Sequence, residues 1–202
     1  MTLRLVTAAT DTVVSLDEAK LHLRVEGTDE DALITALIVA ATADAEAYLG
    51  SALFDQTFDF VPETVPQSHF FSHSFGHHRA KVRLPITPLL SVEGVFYTLD
   101  GAETEIDAGS YFVETITGVI TATTWPRADS LRVRFRAGYV DTQSSPAVGE
   151  VPPTIRAAVL LTIGHLYTNR ESVMTDARVQ ALELPLGVTR LLGFKRTDMS
   201  MN

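Results

Sequence analysis

The hydrophobic period of this chain changes twice, and those two changes fix the order of its parts. Leu33, Ile34, Leu37, Ile38, Ala41, Ala45, Tyr48 and Leu49 recur at three- and four-residue spacing, which predicts one apolar face on a helix of about twenty residues. Its alanines keep it slim, so another helix can pack close. Gly50 is placed for its C-cap. Ahead of it, Ser15 and Glu18 form a capping box for a shorter helix that Gly27 should end. Asp29, Glu30 and Asp31 then fall in the first turn of the long helix, where its dipole favours acids.

After Gly50 the period drops to two. Residues 56–61, 81–84, 92–99, 111–113, 119–122 and 131–135 read as short strands, with a hairpin turn at Asp100 and Gly101 and a weaker one at Thr117 and Gly118. A polar, proline-containing linker follows at 143–153, and Pro152 and Pro153 open a last major helix with Ile155, Ala158, Val159, Ile163, Leu166 and Tyr167 on its apolar face. The expected fold is α+β: helices near 16–24, 29–49 and 153–170. Residues 1–53 and 150–170 should form a helical core, 54–142 an inserted antiparallel β region, and 171–202 an extended C-terminal arm.

Hydrophobic residues make up 46% of the 202 positions, enough to bury a core. The absence of cysteine excludes disulfides and thiolate chemistry. The N-terminus does not read as a signal peptide, and no run reads as a membrane span. The net charge of −9 is confined to the first third: residues 1–65 hold twelve acids and three bases, while the remainder balances. Such a surface disfavours wrapping nucleic acid.

Motifs for catalysis are missing: no GxSxG, phosphate loop, GxGxxG or HExxH occurs. His69, His73, His77 and His78 have spacing that would suit zinc or nickel on a helix, but no acid lies near them in sequence, so a loop insertion is the expected reading. His165 is expected to be a partly buried, hydrogen-bonded helix residue. Two basic stripes stand out. Arg79, Lys81 and Arg83 alternate with apolar residues, as do Arg132, Arg134 and Arg136, so each strand turns three positive charges to one side. A solvated sheet face, a docking surface for an acidic partner and a phosphate contact are the competing readings.

The order of several motifs resembles the phage head–tail connector (portal adaptor) family, found in tailed phages and gene transfer agents. The segments are 15–25 (SLDEAKLHLRV), 29–38 (DEDALITALI), 46–50 (EAYLG), 84–93 (LPITPLLSVE), 135–140 (FRAGYV), 151–158 (VPPTIRAA), 164–171 (GHLYTNRE) and 184–194 (LPLGVTRLLGF). The resemblance implies a virion structural protein, not an enzyme. It would form a homo-oligomeric ring of about a dozen copies under the portal, with a channel that DNA crosses without sequence-specific binding. It also implies a downstream tail component, a stopper or tail terminator, as a second partner. The expected location is the virion neck, after assembly in the host cytoplasm, with no cofactor, metal or membrane involved.

Two contacts are expected within such an assembly. Asp29, Glu30 and Asp31 of one copy should face Arg79, Lys81, Arg83, Arg132, Arg134 and Arg136 of its neighbour. In the C-terminal arm, Leu182, Leu184, Leu186 and Val188 alternate with Glu183, Pro185 and Gly187, the pattern of an extended strand. With Leu191, Leu192 and Phe194 as anchors, that arm should dock on the portal. A DNA-binding module using the arginines, and a metal-dependent hydrolase using the histidines, are the alternative functions.

Overall fold

The structure, a computed structural model, describes residues 1–66, 81–122, 124–169 and 187–193. The chain forms two compact units, one of residues 1–9 and 54–149 and the other of residues 10–53 and 150–202.

The second unit is helical. Helices α1 (Leu16–Leu23), α2 (Asp31–Leu49) and α3 (Pro153–Thr168) pack on one another. The capping box begins α1 as expected: Ser15 Oγ accepts from the Glu18 N–H at 3.2 Å. The helix ends within the expected 16–24, at Arg24, which adopts the left-handed conformation itself (φ 58°) ahead of Gly27. Lys20 bridges the break by donating to the Gly27 carbonyl and, at 2.6 Å, to Asp31. Because those contacts hold 27–30 outside a helix, α2 starts at Asp31 and not at residue 29. Gly50 closes it with φ 65°.

By length and composition α2 could cross a membrane, which the sequence reading had not credited to any run. Its buried residues are Ile34, Ile38, Ala41, Ala45 and Leu49, and Ile155, Ala158, Val159 and Ile163 are buried on α3. Each isoleucine or leucine so buried contributes roughly 1.5–3 kcal/mol. Arg156 on α3 forms an ion pair with Glu18, tying α3 to the start of α1. Ser15→Ala should therefore cost about 1 kcal/mol, detectable as a lower urea midpoint at unchanged slope, since it removes one capping acceptor and leaves the ion pair in place.

The C-terminal stretch departs from expectation where it is described. Residues 187–193 are helical, and Val188 and Leu192 are buried. A Cβ built on Gly187 would lie 3.9 Å from Leu161 of α3, so this short helix lies against the helical unit. Val188, Leu191 and Leu192 fall at helical three- and four-residue spacing, and Val188 and Leu192 are buried. Leu182, Leu184, Leu186 and Phe194 lie outside the described residues.

The first unit is built of strands: β1 (Thr2–Thr7), β2 (Gln56–Val61), β3 (Lys81–Arg83), β4 (Leu89–Leu99), β5 (Ala102–Glu105), β6 (Tyr111–Glu114), β7 (Val119–Ala122), β8 (Ser130–Ala137), β9 (Val140–Asp141) and β10 (Val148–Gly149). They make a five-stranded sheet in the order β1-β2-β8-β4-β5, a three-stranded sheet β3-β7-β6 and the pair β9-β10, all antiparallel. Asp100 (φ 52°) and Gly101 (φ 81°) make the expected two-residue hairpin between β4 and β5. Strands β1, β5, β9 and β10 were not among the six expected; β10 falls in the stretch read as a linker, and β1 belongs to this unit and not to the helical one.

Alternation gives the five-stranded sheet two unlike faces. Phe58, Phe60, Val95, Leu131, Val133 and Phe135 are buried, with the Phe58 and Phe135 rings stacked at 5.5 Å. The other face is ionic. At the end of the unit the chain runs backbone to backbone. Phe54 bridges Val140, and Gly149 pairs with the same Val140. A Cβ on Gly138 would sit 2.4 Å from the Phe54 carbonyl, and one on Gly149 2.1 Å from the Tyr139 oxygen.

Candidate functional site

The ionic face starts from the sequence of β8. Arg132, Arg134 and Arg136 alternate with buried Val133, Phe135 and Ala137, so the three guanidinium groups share one side, as expected. Registry then places acids beside them. In β2, Asp59 lies between Phe58 and Phe60; its neighbours turn to the apolar core, and it pairs in register with Arg134 on one side and Arg4 of β1 on the other.

Arg134 grips Asp59 with two hydrogen bonds, from Nε at 2.8 Å and from its terminal nitrogen at 2.9 Å. Arg132 adds one at 3.2 Å and Arg4 another at 3.1 Å. The Asp59 side chain is only 5% exposed, so an ionised carboxylate there depends on these partners. They hold its pKa down from the usual 3.8 to about 2, the Arg134 hydrogen bond being the largest cause and burial opposing it. Arg132 continues outward to Glu103 of β5 with two bonds of 2.8 Å, and its guanidinium stacks 4.1 Å over the Phe96 ring. That contact lowers the Glu103 pKa.

Further along β8, Arg136 is buried and bound by Asp55 and Asp141, whose hydrogen bonds keep it firmly protonated. Asp141 also accepts from Ser144 Oγ at 2.9 Å and the Gln143 N–H at 3.1 Å. A row of charges thus crosses the sheet, from Arg4 of β1 through Asp59 of β2 and the arginine pair Arg134 and Arg132 of β8 to Glu103 of β5, passing over Phe96 of β4.

Arg132, Arg134 and Arg136 are thus each paired with acids of their own chain. On the helical unit, Asp31 is bound by Lys20 and Glu30 accepts from the Tyr167 hydroxyl, while Asp29 is exposed. Lys81 and Arg83 flank buried Val82 on β3, in the other sheet, so the two basic stripes do not merge. Arg79 and the histidines at 69, 73, 77 and 78 lie outside the described residues. Among the described residues no group of three or more metal-ligating side chains comes together. His165 does meet a hydrogen-bonding group, Asn169 Nδ2 at 3.2 Å from its Nδ1, while its Nε2 is buried with no partner among the described residues.

The acids that complete the row, Asp55, Asp59, Glu103 and Asp141, escaped sequence reasoning, as did Arg4. One signal was available: an aspartate between two phenylalanines in an apolar strand must find a counter-ion. Chemically the row offers no nucleophile and no proton-transfer group. The arginines hold Asp59, Glu103 and Asp141 below the usual carboxylate range.

Residues 13–73 match the family model described as phage gp6-like head-tail connector protein, so the resemblance drawn from the motifs holds over that stretch. No curated protein matches the chain. Among solved structures, a chain in the neck of an empty GTA particle computed with C6 symmetry is similar, with a TM-score of 0.70 and 24% identity over 97% of this chain and 95% of that one. A chain in the virion of a native gene transfer agent (GTA) particle has a TM-score of 0.68 at 23% identity, with the same coverage of both chains. A third, from the neck of a native GTA particle computed with C12 symmetry, has a TM-score of 0.66 at 23% identity, again with the same coverage. At these identities the likeness establishes the fold.

Proposed function

We propose that this chain is a head–tail connector, a structural protein of the neck of a phage or phage-like particle that acts without catalysis. The observation that carries the reading is the agreement of two independent likenesses: the connector family model over 13–73, and a nearly full-length fold match to chains in GTA necks. Copies would stand in a ring around the axis that DNA follows, about twelve if the C12 symmetry of the similar neck applies. The portal would lie on one side and a tail component on the other. The acidic excess of residues 1–65 suits a channel past which DNA must slide, since it offers phosphate no binding sites.

The ionic row bears on the alternative of DNA binding through the β8 arginines. Phosphate contact needs cations that are not already matched, and these three are matched by Asp55, Asp59, Glu103 and Asp141. The portal-facing arm narrows as well. Val188 and Leu192 are taken up by the helical unit, which leaves Leu182, Leu184, Leu186, Leu191 and Phe194 as its candidate contacts.

Particles assembled with an epitope-tagged chain provide the test. Labelled antibody should decorate the neck alone, and the isolated neck should contain about twelve chains of 22.0 kDa each. A chain recovered only as free protein, with tagged particles unlabelled, would end this reading.

A further inference from the structure

The charge row runs from one open edge of its sheet to the other. Among the described residues, β1 and β5 each have a neighbour on one side only. At the β1 edge stands Arg4, 70% exposed, and at the β5 edge stands Glu103, 47% exposed. Registry puts Glu105 on the same face, two residues along β5. Arg4 and Glu103 are hydrogen-bonded inward, to Asp59 and Arg132, but they are the most exposed members of the row, so each edge still presents charge of opposite sign.

The edges also differ in how they are guarded. Natural edge strands are blunted by shortness, lysine, proline or inward charge. With four residues, two of them glutamates, β5 is protected against pairing with itself. By contrast β1 has six residues without lysine or proline, and its one charge is drawn sideways onto Asp59. On its other face Leu3 and Leu5 are exposed, as is Val6 beside them. Among the described residues of the strand unit these apolar groups stay open, and a surface that fits this edge brings both a strand edge and negative charge.

We infer that copies of this chain join edge to edge, β5 of one against β1 of the next, with Glu103 and Glu105 meeting Arg4 of the next copy and the sheet continuing from copy to copy. Every neighbouring pair in the sheet is antiparallel, so β1 and β5 point the same way. Copies related by rotation would pair them in parallel. The two edges are unlike, which makes the contact heterologous and able to close into a ring. The inference rests on the ring reading above and gives that ring its contact.

Cysteine cross-linking tests it, because the chain has no cysteine of its own. Within one chain β1 and β5 are four strand spacings apart, about 19 Å. A disulfide needs Cα atoms roughly 4.4–6.8 Å apart, so a bond between these strands can only join two copies. Leu5→Cys with Thr104→Cys, and Leu3→Cys with Thr104→Cys, place both thiols on the face away from the charges. Thr2→Cys with Glu105→Cys does the same on the charged face and disturbs no buried residue. Particles carrying the full-length variants are oxidised and run on non-reducing gels. At least one double variant should convert most of the chain into a ladder extending beyond the dimer, while the single variants stay monomeric. Double variants that all remain monomeric in particles containing the chain would overturn the edge contact and leave the ring reading intact. Dimers from Leu5→Cys or Thr2→Cys alone would mean that β1 pairs with itself, which also overturns it. A chain absent from particles, with wild-type sequence included, would overturn the ring reading and this contact together.

Discussion

Replacing Asp59 by Asn is expected to destabilise the strand unit by about 2–4 kcal/mol. Deleting one member of a buried ion pair costs roughly 3–5 kcal/mol, because the charge left behind stays desolvated. Here Arg4, Arg132 and Arg134 can partly turn to water, which puts the cost toward the lower end. The pH dependence identifies the cause. In the folded chain Asp59 takes up its proton near pH 2, in the unfolded chain near 3.8. Between those values the unfolded state binds more protons, so stability is full above about pH 4 and is lost as pH falls toward 2, a contribution of about 2 kcal/mol. Urea midpoints measured from pH 7 to pH 2.5 should draw together for wild type and Asp59→Asn, the gap shrinking to about a third at the acid end. Glu18 and Asp141 also have lowered pKa values, but they are common to both proteins and cancel in the comparison, while Glu103, which shares Arg132 with Asp59, is lowered further once the Asp59 charge is gone. Parallel curves with equal midpoints would show that the carboxylate is not what holds the arginines.

A larger loss is expected at two glycines. Gly149→Ala would press a methyl group to 2.1 Å from the Tyr139 oxygen, at a φ of +102° that side chains rarely adopt. Gly138→Ala would place one 2.4 Å from the Phe54 carbonyl group. Backbone cannot rotate aside as a side chain can, so each change must spread strands that are hydrogen-bonded to each other, at a cost on the order of 3 kcal/mol or more. Gly101→Ala is the control. Its φ is +81° with nothing within 4 Å, so it carries only the left-handed penalty of about 1–2 kcal/mol. Amide exchange at Val140 should speed up sharply in the first two variants and little in the third. Equal effects at all three positions would mean that backbone conformation, and not close approach, is what matters.

What could be read from the sequence was what local rules control. The capping box set the start of α1, Gly50 the end of α2, and Asp100 with Gly101 the β4–β5 hairpin. The shared face of Arg132, Arg134 and Arg136 followed from strand alternation alone. Their neutralisation did not, because Asp59 lies 75 positions from Arg134 and no local pattern announces a cross-strand partner. Strand β1 was missed for the same reason: Leu3, Arg4 and Leu5 alternate, but their partner strand begins at Gln56. Of the run from Leu182 to Val188 that alternates like a strand, only Gly187 and Val188 are described, and they open a helical turn whose burial no period-two pattern announces.

The convergence on Val140 has an evolutionary corollary. Phe54 and Gly149 flank that residue, so the stretch between them leaves and returns through points only about two strand spacings, roughly 10 Å, apart. Its ends are thus close together, and residues 1–9 join it by pairing β1 with β2. The entropy of closing such a stretch grows only with the logarithm of its length, about 0.6 kcal/mol per doubling. Residues can therefore be gained or lost between 54 and 149 with little effect on the helices that precede and follow them. The strands would be the part of the molecule free to diverge in size between lineages, and the place where a foreign domain could be grafted.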